Sequence, residues 1–193
     1  MKLGKLLIAV TTVTVLLGAL GASASARNFS TSSQLNRATF TRMNFAGGFG
    51  TVECEVVLEG TFHSRTSTKT AGTLIGYVTA ANVTRCPRGG ATIDREALPW
   101  HTRYQGFTGT LPNISTLSNT ISGFSWRYRE AGFGVTCQVT NATFSGAYRL
   151  SAGVVAEYSV SSTTTCSGFA ATFSGNTTNI DNRSGARITV TLI

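Results

Sequence analysis

The chain holds two histidines, His63 and His101, and two aspartates, Asp94 and Asp181. That scarcity narrows the catalytic chemistry open to it. A serine hydrolase needs a histidine poised between a serine and an orienting acid. His101, beside Trp100 and downstream of Asp94, is the one local arrangement of that kind. The Gly-x-Ser-x-Gly turn that exposes a nucleophilic serine does not occur after the N-terminal leader. Glu53 and Glu55 occupy alternate positions of one extended segment, so their carboxylates stand roughly 7 Å apart, a spacing found in glycosidase pairs. Alternating acids on the wet face of a strand are the more ordinary explanation.

Metal chemistry has little to draw on. Cys54, Cys86, Cys137 and Cys166 are too widely spaced for a zinc knuckle or a redox Cys-x-x-Cys. Neither a metal nor a cofactor is therefore expected.

Binding chemistry has more material. From Phe124 to Arg129 the residues alternate: Phe124, Trp126 and Tyr128 on one side, Ser125, Arg127 and Arg129 on the other. The aromatics are expected in the core and the arginines in solvent. If Arg103 lies nearby, three guanidinium forks could grip carboxylates or phosphates. With Trp126 and Tyr128 outward instead, the same strand would suit sugar stacking. The segment Leu98–Tyr104, containing Trp100 and His101, and the following Phe107–Asn113 suggest an inserted hairpin packed over a sheet, with a ligand-facing hairpin as the alternative. Arg85-Cys86-Pro87-Arg88-Gly89-Gly90 is the candidate for a protruding inhibitory loop.

The elements that must position these residues are strands. Val52, Cys54, Val56 and Leu58 share one face while Glu53, Glu55 and Glu59 share the other, the period-2 pattern of a half-buried strand. Similar runs predict strands over Thr39–Phe45, Thr73–Ala80, Ala91–Asp94, Thr102–Thr110, Gly123–Arg129, Gly134–Phe144, Val154–Val160, Phe169–Phe173 and Arg187–Leu192. No helical stripe longer than two turns follows the leader. The fold class is all-β: a single antiparallel sandwich or closed barrel of about ten short strands, between which alternation cannot choose.

An internal echo suggests two weakly similar halves. Gly48-Phe49-Gly50 precedes the Cys54 strand and Gly132-Phe133-Gly134 precedes the Cys137 strand. Each strand leads to a Thr-Phe pair, then a glycine and a tyrosine-bearing strand, then a second cysteine, then Ala-Thr. If the halves are equivalent, each closes its own bridge, Cys54–Cys86 and Cys137–Cys166, out of three possible pairings.

The first 26 residues have the layout of a secretory signal: Lys2 and Lys5, an uncharged run from Leu6 to Leu20, then Ala24-Ser25-Ala26 before Arg27. The run is shorter than the roughly 20 apolar residues of a membrane span, so no transmembrane anchor is expected after cleavage. Residues 27–37 read as a loose N-terminal arm and 38–193 as one disulfide-stabilised domain. Hydrophobic residues make up 41% of the chain and alternate regularly, which argues against disorder. Losing Lys2 and Lys5 leaves 14 basic side chains against 8 acidic, a net charge of +6, and all the basic ones except Lys69 are arginine. Dispersed arginines without a recognition motif argue against nucleic acid and leave an anionic envelope or extracellular polymer as the candidate partner. The Asn-x-Ser/Thr triplets are those expected of so Asn-, Ser- and Thr-rich a chain.

The sequence thus points to a secreted, non-enzymatic binding or structural module at the cell envelope or outside it. Arg103, Arg127, Arg129, Trp100 and His101 are its candidate contact residues. An exported polymer hydrolase or a secreted inhibitor is the alternative.

Overall fold

The computed structural model describes residues 28–48, 50–129, 131–132, 136–166 and 168–193; the expected signal peptide lies outside them. The alternation in the Cys54 strand becomes a wall with two faces: Val52, Cys54, Val56 and Leu58 are buried, while Thr51 and Glu53 are exposed. Thirteen strands are described. They are β1 (Asn28–Thr31), β2 (Leu35–Gly47), β3 (Gly50–Phe62), β4 (Thr66–Thr68), β5 (Leu74–Arg85), β6 (Gly90–Ile93) and β7 (Trp100–Thr110). After these come β8 (Asn113–Arg129), β9 (Thr136–Ser151), β10 (Val154–Cys166), β11 (Phe169–Thr177), β12 (Ile180–Asp181) and β13 (Val190–Leu192).

Eight of them pair antiparallel in the cyclic order β2-β3-β5-β7-β8-β9-β10-β11. The ring closes where β11 returns to β2, through Thr172↔Ala46, Phe173↔Phe45, Ser174↔Asn44 and Gly175↔Met43. The domain is therefore a closed up-and-down barrel. Register shifts interrupt several ladders, including β2–β3 between Phe40 and Met43 and β8–β9 around Phe124. Such bulges let long strands coil tightly enough to close.

At one end of the barrel lie the β2–β3 turn and both disulfides, Cys54–Cys86 and Cys137–Cys166, in the pairing that the internal echo predicts. Its matching segments fall four barrel strands apart, on β3–β5 and on β9–β10, half-way round the ring. This disulfide half is filled with aromatic rings. Phe45, Trp100, Phe124, Trp126, Phe144 and Phe173 are all buried, with ring centroids 4.7–6.4 Å apart. On this half β6 takes up the β8 edge that β7 does not reach, pairing Gly90–Ile93 with Trp126–Arg129.

A three-stranded sheet, β13-β1-β4, covers the opposite end. The expected loose arm is thus a correction: Asn28–Thr31 forms the central strand of this cap, and Leu35–Arg37 begins β2. The physical reason is Phe29, 3% exposed and packed on Tyr104 and Phe107 at 5.7 and 5.9 Å. The expected inserted hairpin is corrected too. Residues 100–129 are two staves of the barrel wall, and Phe107 near their tip supports the cap. The predicted strand Gly123–Arg129 begins ten residues earlier, at Asn113, where an inward Asn119 and many serines and threonines blur the apolar alternation. A side-chain clasp holds β12 against the wall: Arg37 donates to Asp181 at 2.9 Å, and Arg183 donates to the Gly60 carbonyl at 3.1 Å.

The bridges span 32 and 29 residues. Replacing Cys54 and Cys86 together by serine should lower the unfolding free energy by about 3–4 kcal/mol through the greater freedom of the unfolded chain. Urea denaturation of oxidised protein measures this, and a loss under about 1 kcal/mol would contradict the entropic account.

Candidate functional site

The outer wall of β6, β8 and β9 presents the arginines. Because β8 alternates, burying Phe124, Trp126 and Tyr128 turns Arg127 and Arg129 outward, and both are exposed. Two residues apart on one strand, their stems leave the sheet about 7 Å from each other. Their cross-strand neighbours are uncharged: Thr92 and Gln138 flank Arg127, and Gly90 and Thr136 flank Arg129. Among the described residues neither guanidinium has an ion-pair partner. β8 is paired on both sides here, so the two arginines stand on rigid backbone.

The short 3-10 turn Arg95–Ala97 builds a groove beside them. Asp94 caps it, accepting from the Glu96 amide at 3.1 Å, and the Asp94 amide donates to the Ser125 carbonyl at 3.0 Å. That fixes the turn over β8 and buries Ser125, whose hydroxyl accepts from the Asn141 amide at 2.9 Å. Between turn and wall runs an open cleft of about 480 Å³, bordered by Arg95, Glu96, Asp94, Thr92, Arg127 and Gln138. Arg95 is held at its rim by a 2.7 Å bond to Asn82 Oδ1.

The structure does not bring Arg103 into this group. It stands opposite Thr120 on β8, seven residues from Arg127 and so about 23 Å along the strand, and it donates to the Gly72 carbonyl at 3.0 Å. Trp100 and His101, as successive residues of β7, point to opposite sides of the wall. Trp100 is fully buried against Phe124, while His101 is exposed and edge-on to Tyr77 at 5.3 Å. His63 meets the same tyrosine at 4.7 Å. Asp94 is engaged by its turn, and no carboxylate among the described residues lies within ion-pair distance of His101. Glu53 and Glu55 also have local partners: Glu53 faces Arg42 at 3.9 Å and Glu55 accepts from the Thr84 hydroxyl at 3.4 Å. The Arg85–Gly90 loop is tethered at the disulfide end, with Arg88 exposed close to Gly90, the partner of Arg129.

A second group, inside the barrel near the cap, escapes sequence reasoning. Asn119 lies opposite Gly146, and Tyr148 opposite Tyr158. The two phenol rings stack at 4.2 Å, and Asn119 Nδ2 donates to the Tyr158 hydroxyl at 3.4 Å. The lone inward asparagine of β8 was the available signal; its partners came from cross-strand register. Burial pushes the Tyr148 hydroxyl well above the usual tyrosine range, helped by the charge and hydrogen bond of Tyr158. Burial likewise raises Tyr158, to about 12, against the opposing effect of bonds from Asn119 and Tyr148.

No protein-family model, curated protein or solved structure matches this chain.

Both tyrosines hold their protons more tightly folded than unfolded. Their contribution to stability is therefore complete below pH 10 and is lost as pH rises from 10 through about 12. Denaturation midpoints should fall across that window, and phenolate absorbance from these two rings should appear only with unfolding. Ionisation of all five tyrosines at the ordinary value in folded protein would refute the buried pair.

Proposed function

We propose that this protein is a secreted, non-enzymatic binding module that holds an anionic envelope or extracellular polymer against its β6–β8–β9 wall. The observation that carries the reading is the pair Arg127 and Arg129, exposed side by side on a rigid strand and without an ion-pair partner among the described residues. Planar guanidinium forks suit carboxylates and phosphates, and the adjoining cleft offers Thr92, Gln138 and Arg95 to the rest of a polymer unit. Asp94 and Glu96 border the same cleft, which favours sparsely charged, hydroxyl-rich chains over densely charged ones. Two intrachain disulfides fit an oxidising, extracytoplasmic compartment. The hydrolase alternative has less support, since His101 and Asp94 serve separate local structures.

The test is retention of the purified protein on envelope fractions and on defined anionic polymers, at several salt concentrations. Retention should fall with salt. The double variant Arg127→Ser/Arg129→Ser should bind about tenfold more weakly, the worth of two exposed ion pairs, while Arg103→Ser should bind as the parent does. Salt-independent retention, or equal loss from Arg103→Ser, would overturn the assignment of the site.

A further inference from the structure

The wall of Arg127 and Arg129 has a counterpart elsewhere on the disulfide half of the barrel. On the outer face of β2 and β3 lies a second open cleft of about 490 Å³, bordered by Arg42, Thr51, Glu53, Pro87 and Arg88. Its make-up repeats that of the cleft beside β8. Each sets two arginines and a threonine around acidic side chains: Arg42, Arg88, Thr51 and Glu53 here, Arg95, Arg127, Thr92, Asp94 and Glu96 there. Arg42 stands where a bulge interrupts the β2–β3 ladder, its side chain 79% exposed and 3.9 Å from Glu53. An exposed pair at that distance contributes little, so the guanidinium is available to a ligand. Arg88 is exposed and has no ion-pair partner among the described residues.

One segment joins the two clefts, and both of its ends are fixed. Cys86 bridges to Cys54, the residue after Glu53 on β3, and Gly90–Ile93 is laddered to Trp126–Arg129 on β8. Arg88 lies between these anchors, two residues from the partner of Arg129. Arg88 borders one cleft and Thr92 the other, so at most about 14 Å of chain separates them. Arg127, Arg129, Arg88 and Arg42 thus form a basic band from β8 to β2, its charges spaced along it rather than clustered. We infer that the two clefts are subsites for a single chain, a hydroxyl-rich polyanion with one carboxylate or phosphate per unit, long enough to pass over Arg88. The arginines take the anionic groups, while Thr51, Thr92, Glu53 and Glu96 take hydroxyls. This second subsite presupposes the polymer-binding wall proposed above. Occupying both clefts makes the second contact intramolecular, so affinity depends on ligand length.

Two ligand ladders test the band: oligogalacturonates for carboxylate and oligo(glycerol phosphates) for phosphate, each from the dimer upward, titrated calorimetrically into the purified protein. Affinity should step up about tenfold or more once a chain spans both clefts, and level off beyond that length. The ladder that shows the step identifies the anionic group. Arg42→Ser/Arg88→Ser should erase the step while binding the dimer nearly as the parent does; both residues are exposed, and an unchanged urea midpoint checks that the fold is intact. Arg127→Ser/Arg129→Ser should erase the step as well. Arg65→Ser/Arg103→Ser, which removes the same charge nearer the cap, should keep it. A step that survives Arg42→Ser/Arg88→Ser, or one affinity at every length, would overturn the second subsite and leave the arginine wall standing. A step lost equally from Arg65→Ser/Arg103→Ser would reduce the band to net charge, and no binding of either ladder would overturn subsite and wall together.

Discussion

The ladder between β11 and β2 is the constraint on which the rest of this molecule depends. Four residue pairs, Thr172↔Ala46 to Gly175↔Met43, join the last long strand to the first and turn a meander into a ring. An open sheet of this length would leave two edges of unpaired backbone and one unprotected apolar face. Closure removes both problems and fixes the interior volume, because strand number and stagger set the bore. It also explains why inward and outward residues have such different characters along every stave.

A fixed bore has to be filled, and the two halves are filled differently. At the disulfide end, six large rings pack at tilted and edge-to-face angles, and the bridges tie the strands that surround them. At the other end the staves run on past the packed zone, and the space between them is roofed by the chain's own β1, β4 and β13. The roof is held by short ladders and by Phe29, so fewer interactions secure it than secure the wall. A polar trio occupies the boundary: Asn119 donates to the Tyr158 hydroxyl, and the Tyr158 ring stacks on that of Tyr148. The Tyr158 hydroxyl is satisfied by Asn119, while Asn119 Oδ1 has no donor.

The outer surface follows from the same ring. β8 contacts three neighbours, with β7 beside its first part and β6 beside its last. Where the neighbour changes, the 3-10 turn crosses the wall and leaves a cleft. Arg127 and Arg129 stand at that cleft because Trp126 and Tyr128 are required inside; the charge on the surface and the packing of the core are two faces of one alternation.

Much of this was legible in the residues themselves. Period-2 runs located the eight staves, since a half-buried strand must alternate wherever one face meets a core and the other water. The echo between the Cys54 and Cys137 segments selected the disulfide pairing because equivalent halves place equivalent cysteines together. The outward direction of Arg127 and Arg129 followed from the size of the aromatic residues between them. What the sequence could not supply was every relation set by register and closure. Sandwich and barrel share one alternation, so only the return of β11 to β2 decided between them. Arg103 looked like a companion of Arg127 until the β7–β8 register set it seven residues away. The segment 28–31 looked unattached because a four-residue strand has no pattern of its own, and its partners lie far along the chain, at 66–68 and 190–192. Asn119, Gly146, Tyr148 and Tyr158 meet because neighbouring staves align them, a consequence of tertiary pairing that no local spacing records.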